Sequence, residues 1–270
     1  MNALVGTKLG GVSPKPQTTR HRILGIITGP DFQLGLVDTP GALERKINQL
    51  QKNMDASTWA SVSDSDVVVM VTGPTRPDDR DLLVIDRIKR MHRPKLLVIN
   101  KVDTVSKHAL LPVMEEFAGL CQFKEIIPVS ARKALGLDVL LAQIIKYLPE
   151  GDPLYPPDVA SDRDMRFLAS EIIREKVFLR FRHEIPYATG VVIDEFREAK
   201  EPVFIRAVLF VERPSQKAIL LGKKGGAIKK IGTEARQELE YLLGKRVFLE
   251  LWVKVKPNWR KDTAFLRAEP

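Results

Sequence analysis

Lys95-Leu96-Leu97-Val98-Ile99-Asn100-Lys101-Val102-Asp103 is a short apolar run that stops abruptly at an amide, a cation and an acid. Its apolar residues are consecutive rather than alternating, the pattern of a strand covered on both faces, as in a parallel sheet. Outward from it, similar runs recur at Ile23–Thr28, Gln33–Val37, Asp66–Thr72 and Glu125–Val129. Amphipathic stretches separate them at Glu44–Ser63, Asp79–Met91, Lys107–Leu120 and Leu135–Leu148. Strands alternating with helices predict an α/β domain with a mostly parallel, doubly wound sheet. Ligands bind such sheets outside the carboxyl ends of the strands, which is where Asn100–Asp103 falls.

An aspartate at the position of Asp103 can accept hydrogen bonds from N1 and the exocyclic amine of guanine, a pair that adenine does not offer. Asn100 can bond the Hoogsteen edge or tie loops together, and the stem of Lys101, next to Val102, can pack on the base. The same residues also read as a polar loop leading into a helix. Asp38-Thr39-Pro40-Gly41 follows another strand. There the carboxylate can hold Mg²⁺ through water and the glycine N–H can reach a terminal phosphate, although Pro-Gly is also an ordinary turn. Ser130-Ala131 follows the last strand, where a backbone N–H can read guanine O6 or simply cap the strand end. Gln17–Arg22 precedes the first strand. Thr18 or Thr19 in such a segment can sense Mg²⁺ and a γ-phosphate; taken alone, the segment reads equally as a polar, basic surface loop.

Pro149, Pro153, Pro156 and Pro157 end the last helix and stiffen a linker. The expected division is residues 1–150, a Pro-rich linker at 151–163, a second domain at 164–260 and a tail at 261–270. The pattern then changes to an α+β order. Asp162–Phe181 predicts a helix, Gly190–Phe196, Val203–Glu212 and Lys217–Leu221 strands, Ala227–Leu243 a helix broken at Gly232, and Arg246–Val255 a last strand. Arg213–Thr233 holds six Lys and Arg residues and no acid. At its centre stands Gly222-Lys223-Lys224-Gly225, followed by Ile228, Lys229 and Lys230. Paired glycines allow a tight turn and close backbone approach, and the lysines between them can face phosphates. A loop of this form leading into a helix clamps about four nucleotides of single strand. Bases would lie on an adjacent apolar groove of Ile219, Leu221 and Ile228; the bland reading is a solvated turn with helix lysines.

The formal charge of +9 favours a polyanionic partner, nucleic acid or an anionic membrane surface. The single cysteine, Cys121, permits neither an internal disulfide nor a zinc cluster and reads as a buried small residue in a reducing compartment. His21, His92, His108 and His183 lack metal-ligand spacing. No apolar run is long enough to span a bilayer and Met1–Gly11 lacks a signal-peptide layout, so a cytosolic protein is expected. Trp59, Trp252 and Trp259 are expected to pack or cover surface; Trp252 breaks the apolar alternation of its strand and could face solvent or RNA, with packing preferred.

In their order and strand-end placement, Gln17–Arg22, Asp38–Gly41, Asn100–Asp103 and Ser130-Ala131 resemble the translation-factor-like GTPases. With Arg166–Lys176, Gly222–Ile231 and Leu249–Lys256 added, the chain is similar to the Era family of ribosome-assembly GTPases over nearly its whole length. The resemblance implies a Ras-like P-loop GTPase fold followed by a type II KH domain. It implies GTP or GDP and Mg²⁺ as cofactors, and the 3′ region of small-subunit ribosomal RNA and the 30S subunit as partners, with no DNA. It also implies a cytoplasmic protein peripheral at the inner face of the cell membrane. No Gly-x-x-x-x-Gly-Lys-Ser/Thr occurs in the sequence, and that loop with its lysine and hydroxyl normally completes the phosphate site. Mg²⁺ through Thr18 or Thr19 and Asp38 is therefore expected only with that loop restored. A truncated or mis-started GTPase is the preferred explanation, a true variant the other; for the 270-residue chain itself, GTP binding and hydrolysis are expected to be weak or absent. The strand that carries such a loop is normally central, so its loss should expose core surface. Ala42 stands where many small GTPases place a water-orienting glutamine. The alternative function is a nucleotide-deficient RNA-binding protein that uses only its KH domain.

Overall fold

Leu96, Leu97, Val98 and Ile99 are at most 2% exposed, and their alternation explains why all four are apolar. Leu96 and Val98 join a core with Ile127, Val129, Leu140 and Ile144, whereas Leu97 and Ile99 join Met70, Ile85, Ile88, Val113 and Phe117 on the opposite face. The strand is covered on both sides, as a doubly wound sheet requires. The computed structural model describes residues 1–41, 48–199 and 201–268. Its contacts form two units: Met1–Lys8, Leu24–Arg45 and Asp55–Ser161 in the first, and Leu9–Ile23, Lys46–Met54 and Asp162–Pro270 in the second.

In chain order the first half contains α1 (Asn2–Val5), β1 (Ile23–Thr28), β2 (Gln33–Asp38), α2 (Gln49–Asp64), β3 (Val68–Thr72), α3 (Asp79–Ile88), β4 (Lys95–Ile99), α4 (Lys107–Leu120), β5 (Glu125–Pro128) and α5 (Leu137–Lys146). β3, β4 and β5 are parallel neighbours, and β1 pairs with β2 in a separate two-stranded sheet. Leu34 of β2 lies in the same core as Leu96 and Val98 without sharing their ladder. Among the described residues β3 pairs with β4 alone, and its Val71 is 61% exposed. The start expected for α2 at Glu44 falls among residues 42–47, outside the described residues.

The second half contains α6 (Met165–Arg180), α7 (Ile185–Ala188), β6 (Gly190–Arg197), β7 (Val203–Val211), α8 (Pro214–Leu221), α9 (Gly226–Leu243), β8 (Val247–Val255) and α10 (Thr263–Ala268). β7 is central, antiparallel to β6 and parallel to β8, in register from Val203↔Val247 to Val211↔Val255. Ile173 and Val177 of α6, Leu220 of α8 and Ile231, Ala235 and Leu239 of α9 pack against Ile205, Ala207 and Leu209 of β7.

Three expectations need correction. Lys217–Leu221 is not a strand but the end of helix α8. Pro214 occupies its first turn, and Gln216 Oε1 accepts from the N–H groups of Glu212 at 2.9 Å and Arg213 at 3.0 Å. These local contacts start a helix that the apolar run alone cannot distinguish from a strand. The helix break lies at Gly222–Gly225 rather than at Gly232, which sits within α9 with its Cβ position 3.4 Å from Leu251. Trp252 is 52% exposed, so the preferred packing gives way to the solvent-facing alternative, whereas Trp259 is fully buried.

Candidate functional site

β4 delivers Asn100 directly beyond its last residue, and Asn100 ties two loops together. Its Oδ1 accepts from Lys101 N at 2.7 Å and from Ala131 N at 3.1 Å. The Ala131 N–H is thereby held beside the strand ends rather than left free. Lys101 has φ +65°, which turns the chain into a 3₁₀ turn at Val102–Thr104. Val102 N donates to Val129 O at 3.2 Å, joining this turn to the segment after β5. Asp103 Oδ1 accepts from the buried Ser130 Oγ at 2.6 Å. That hydrogen bond, reinforced by Lys133 and Arg132 nearby, holds the Asp103 carboxyl below the usual carboxylate range. An ionised carboxylate retains acceptor capacity beyond one hydrogen bond. Asn100, Asp103, Ser130 and Ala131 thus form one bonded cluster that can present an acceptor edge to a planar base with adjacent N–H donors.

Asp38 ends β2, and Pro40 O accepts from the buried Thr58 Oγ1 at 2.9 Å, fixing the turn before Gly41. Gly41 is exposed, with nothing within 4 Å of its Cβ position. Ala42 lies outside the described residues. Thr18 and Thr19 belong to the second unit. Thr18 Oγ1 lies 2.6 Å from Ser13 Oγ and donates to Lys15 O at 2.7 Å.

The segment around these threonines departs from a solvated loop. Arg20 is 5% exposed. Its guanidinium donates to Thr189 O at 2.8 Å, Pro186 O at 2.9 Å and Tyr187 O at 3.2 Å, satisfying carbonyls at the end of α7. Val12 N donates to Glu175 Oε2 at 2.6 Å, and Lys15 Nζ donates to the carbonyls of Phe178 and Phe181 at the end of α6. His21 meets Phe167 edge-on at 6.0 Å. Nothing in Gln-Thr-Thr-Arg-His-Arg marks a buried arginine; the signal lies in partners well over a hundred residues away.

The glycine loop joins α8 to α9. Gly222 has φ +72°, and a Cβ there would come within 2.7 Å of Ala227 Cβ, so only glycine fits. Lys224 (φ +52°) and Gly225 (φ +73°) are also left-handed and turn the chain into the first turn of α9. Lys223, Lys224, Lys229 and Lys230 are exposed. Ile219 is 47% exposed, and Leu221 and Ile228 are half-buried. The loop presents exposed lysines at a helix start, an arrangement that binds phosphate, beside apolar side chains.

A model of the 50S ribosome-binding GTPase family matches residues 1–101, and a KH-domain model matches residues 184–260. The GTPase Era of Xylella fastidiosa (strain M12) is 44% identical over 267 residues, covering 98% of this chain and 90% of the relative. The chain belongs to the Era family. The GTPase Era of Nitratidesulfovibrio vulgaris (strain DP4) is 41% identical over 278 residues, covering 99% of this chain and 90% of its own length. A crystal structure of Era in complex with MgGDPNP and nucleotides 1506–1542 of 16S ribosomal RNA matches at TM-score 0.95 and 39% identity, covering 99% of this chain and 92% of that one. A point variant of Aquifex aeolicus Era bound to GDP·AlF₄⁻ matches at TM-score 0.94, 38% identity and the same coverage. The fold is therefore a Ras-like GTPase domain followed by a KH domain, as expected for an Era protein. Among the described residues, no helix is long and apolar enough to cross a membrane.

Proposed function

We propose that this chain acts as an Era-type guanine-nucleotide-binding protein that binds the 3′ region of small-subunit ribosomal RNA and assists assembly and maturation of the 30S subunit. The observation that carries the reading is its likeness to Era bound to MgGDPNP and 16S ribosomal RNA over 99% of its length. In this reading Asn100, Lys101, Val102, Asp103, Ser130 and Ala131 hold guanine. The cluster fits the base, because Asp103 stays ionised and Asn100 fixes both flanking loops. Asp38, Thr39, Pro40, Gly41 and Ala42 belong to the phosphate end, and a role for Thr18 or Thr19 with Asp38 at Mg²⁺ is reserved for a chain in which the glycine-lysine loop is restored. The 270 residues contain no Gly-x-x-x-x-Gly-Lys-Ser/Thr stretch, so the residues present fit the base better than the phosphates. Bound Mg²⁺ would neutralise phosphate charge; the chain's own contribution is recognition of the base.

Gly222–Gly225, Lys229 and Lys230 clamp the RNA backbone, and Ile219, Leu221 and Ile228 receive its bases. The proposed place of action is the cytoplasm. Peripheral attachment to the inner face of the membrane rests on the family resemblance and the +9 charge. Fluorescence anisotropy with an RNA spanning nucleotides 1506–1542 of 16S ribosomal RNA tests the reading. Replacing Lys223 and Lys224 together by Glu should weaken binding at least about tenfold and lower the salt dependence. Unchanged affinity would refute the clamp. Binding of a fluorescent GTP analogue by the 270-residue chain, displaced by GDP and not by ADP, would show the base cluster working without the glycine-lysine loop. Absence of binding would leave the RNA module as this chain's activity.

A further inference from the structure

Within the second unit, apart from the glycine loop, lies a cavity of about 220 Å³ whose lining residues all belong to that unit. Its volume equals that of about seven waters and falls below the roughly 300–1,000 Å³ of sites for drug-sized ligands. It suits one planar ring system, not a whole nucleotide. Leu50 and Met54, buried to 7% and 3% exposure, give it an apolar side, and Tyr187 gives it an aromatic one. The polar groups are the carboxamides of Gln17, Asn48 and Gln51, the guanidinium groups of Arg20 and Arg260 and the Tyr187 hydroxyl. Asn48 Oδ1 accepts from Gln51 N at 3.0 Å, which leaves the Asn48 NH₂ donors available. The Gln17 amide and the Tyr187 hydroxyl have no hydrogen-bond partner among the described residues. Arg260, also in the lining, has a buried Nε without a partner. Gln17 is held at φ +60°, a backbone position that costs a non-glycine residue energy.

Carboxamides match the donor–acceptor edge of a base, and an aromatic ring supplies a stacking face. Resting on the reading that this unit binds single-stranded RNA, we propose that the cavity holds one unpaired nucleobase of that RNA, at a site sharing no residue with Gly222–Gly225. The amides of Gln17 and Asn48 read its edge, and Tyr187 and Met54 flank its faces.

The test combines protein variants with abasic scanning, using the full chain and the RNA of nucleotides 1506–1542. Gln17→Asn shortens the amide at a position where Asn tolerates positive φ, and Tyr187→Phe keeps the edge contact with Phe178 at 5.7 Å. Gln17→Asn withdraws one hydrogen bond to the base and Tyr187→Phe the hydroxyl one, so the double variant should lose about five- to thirty-fold in affinity for intact RNA. One single-base removal should cost the unaltered protein more than it costs the double variant, which has already lost part of its polar contact with that base. An unchanged affinity, or losses that multiply at every abasic position, overturns the proposal. So does a double variant that loses free nucleoside monophosphates but binds RNA normally, because the cavity would then be a small-molecule site. The Lys223→Glu/Lys224→Glu protein is the separate control: if its affinity is normal, the clamp reading fails whatever the cavity does.

Discussion

Arg20 satisfies three backbone carbonyls with one planar fork and lies 5.7 Å from the Phe178 ring and 5.9 Å from that of Trp259. Lysine keeps the charge but cannot reproduce a fork of donors in one plane. Arg20→Lys should therefore lower stability by about 1–3 kcal/mol through carbonyls left unpaired, and Arg20→Ala by more. Urea denaturation measures this; an unchanged midpoint for Lys would mean that the carbonyls find other donors. Beside it, burial pushes His21 down to about 4, with Glu171 opposing and Arg174, Arg20 and Arg163 reinforcing the shift. The folded form thus binds its proton less readily than the unfolded form, whose value is near 6.5. Stability is fully present above about pH 6.5 and falls towards pH 4, by at most about 3 kcal/mol. His21→Gln should flatten that part of the pH–stability curve; a curve that keeps its slope would assign the effect to other groups. Asn100, Asp103 and Ser130 are legible in sequence because strand ends restrict where a ligand can sit. Arg20 is not, because its burial is decided by carbonyls that carry no sequence signal.

Gly222 and Gly225 separate two uses of glycine at the junction of α8 and α9. At Gly222 both the left-handed φ and the 2.7 Å approach to Ala227 exclude a side chain, whereas at Gly225 only φ does, since nothing lies within 4 Å. Gly222→Ala must move the start of α9 and should abolish RNA binding. Gly225→Ala should cost about 1–2 kcal/mol, and Gly225→Asn less, with RNA affinity largely kept. Circular dichroism melting with anisotropy titration checks the order; equal effects at the two positions would refute the steric argument. The loop is legible because glycine spacing is local. The helix before it is not, because Ile219-Leu220-Leu221 fits either period, and the deciding contact is Gln216 reaching back to Glu212 and Arg213.

The chain order and the folded units diverge, since Leu9–Ile23 and Lys46–Met54 group with residues after Asp162. The linker prolines mark a change of pattern, but no local pattern could announce that a segment ahead of the first strand completes the KH unit. The need for it is visible in α6: every residue from Phe167 to Phe178 is buried, including Glu171, Arg174, Glu175 and Lys176. A helix buried all round requires partners on every face. The sheet and α9 cover one side, and Leu9–Ile23 supplies Val12 N to Glu175, Lys15 to the last carbonyls of the helix, and His21 to Phe167. A fragment of residues 162–270 alone would expose Glu175 without its N–H donor and the carbonyls of Phe178 and Phe181 without their lysine, besides the carbonyls that Arg20 holds. That fragment should melt well below the corresponding transition of the full chain, and a synthetic peptide of residues 9–23 added in trans should raise its melting temperature in proportion to the logarithm of peptide concentration. A peptide with Arg20 replaced by Ala should raise it less. A fragment that melts normally without the peptide would mean that α6 needs no such cover and that the segment's hydrogen bonds contribute little to the fold.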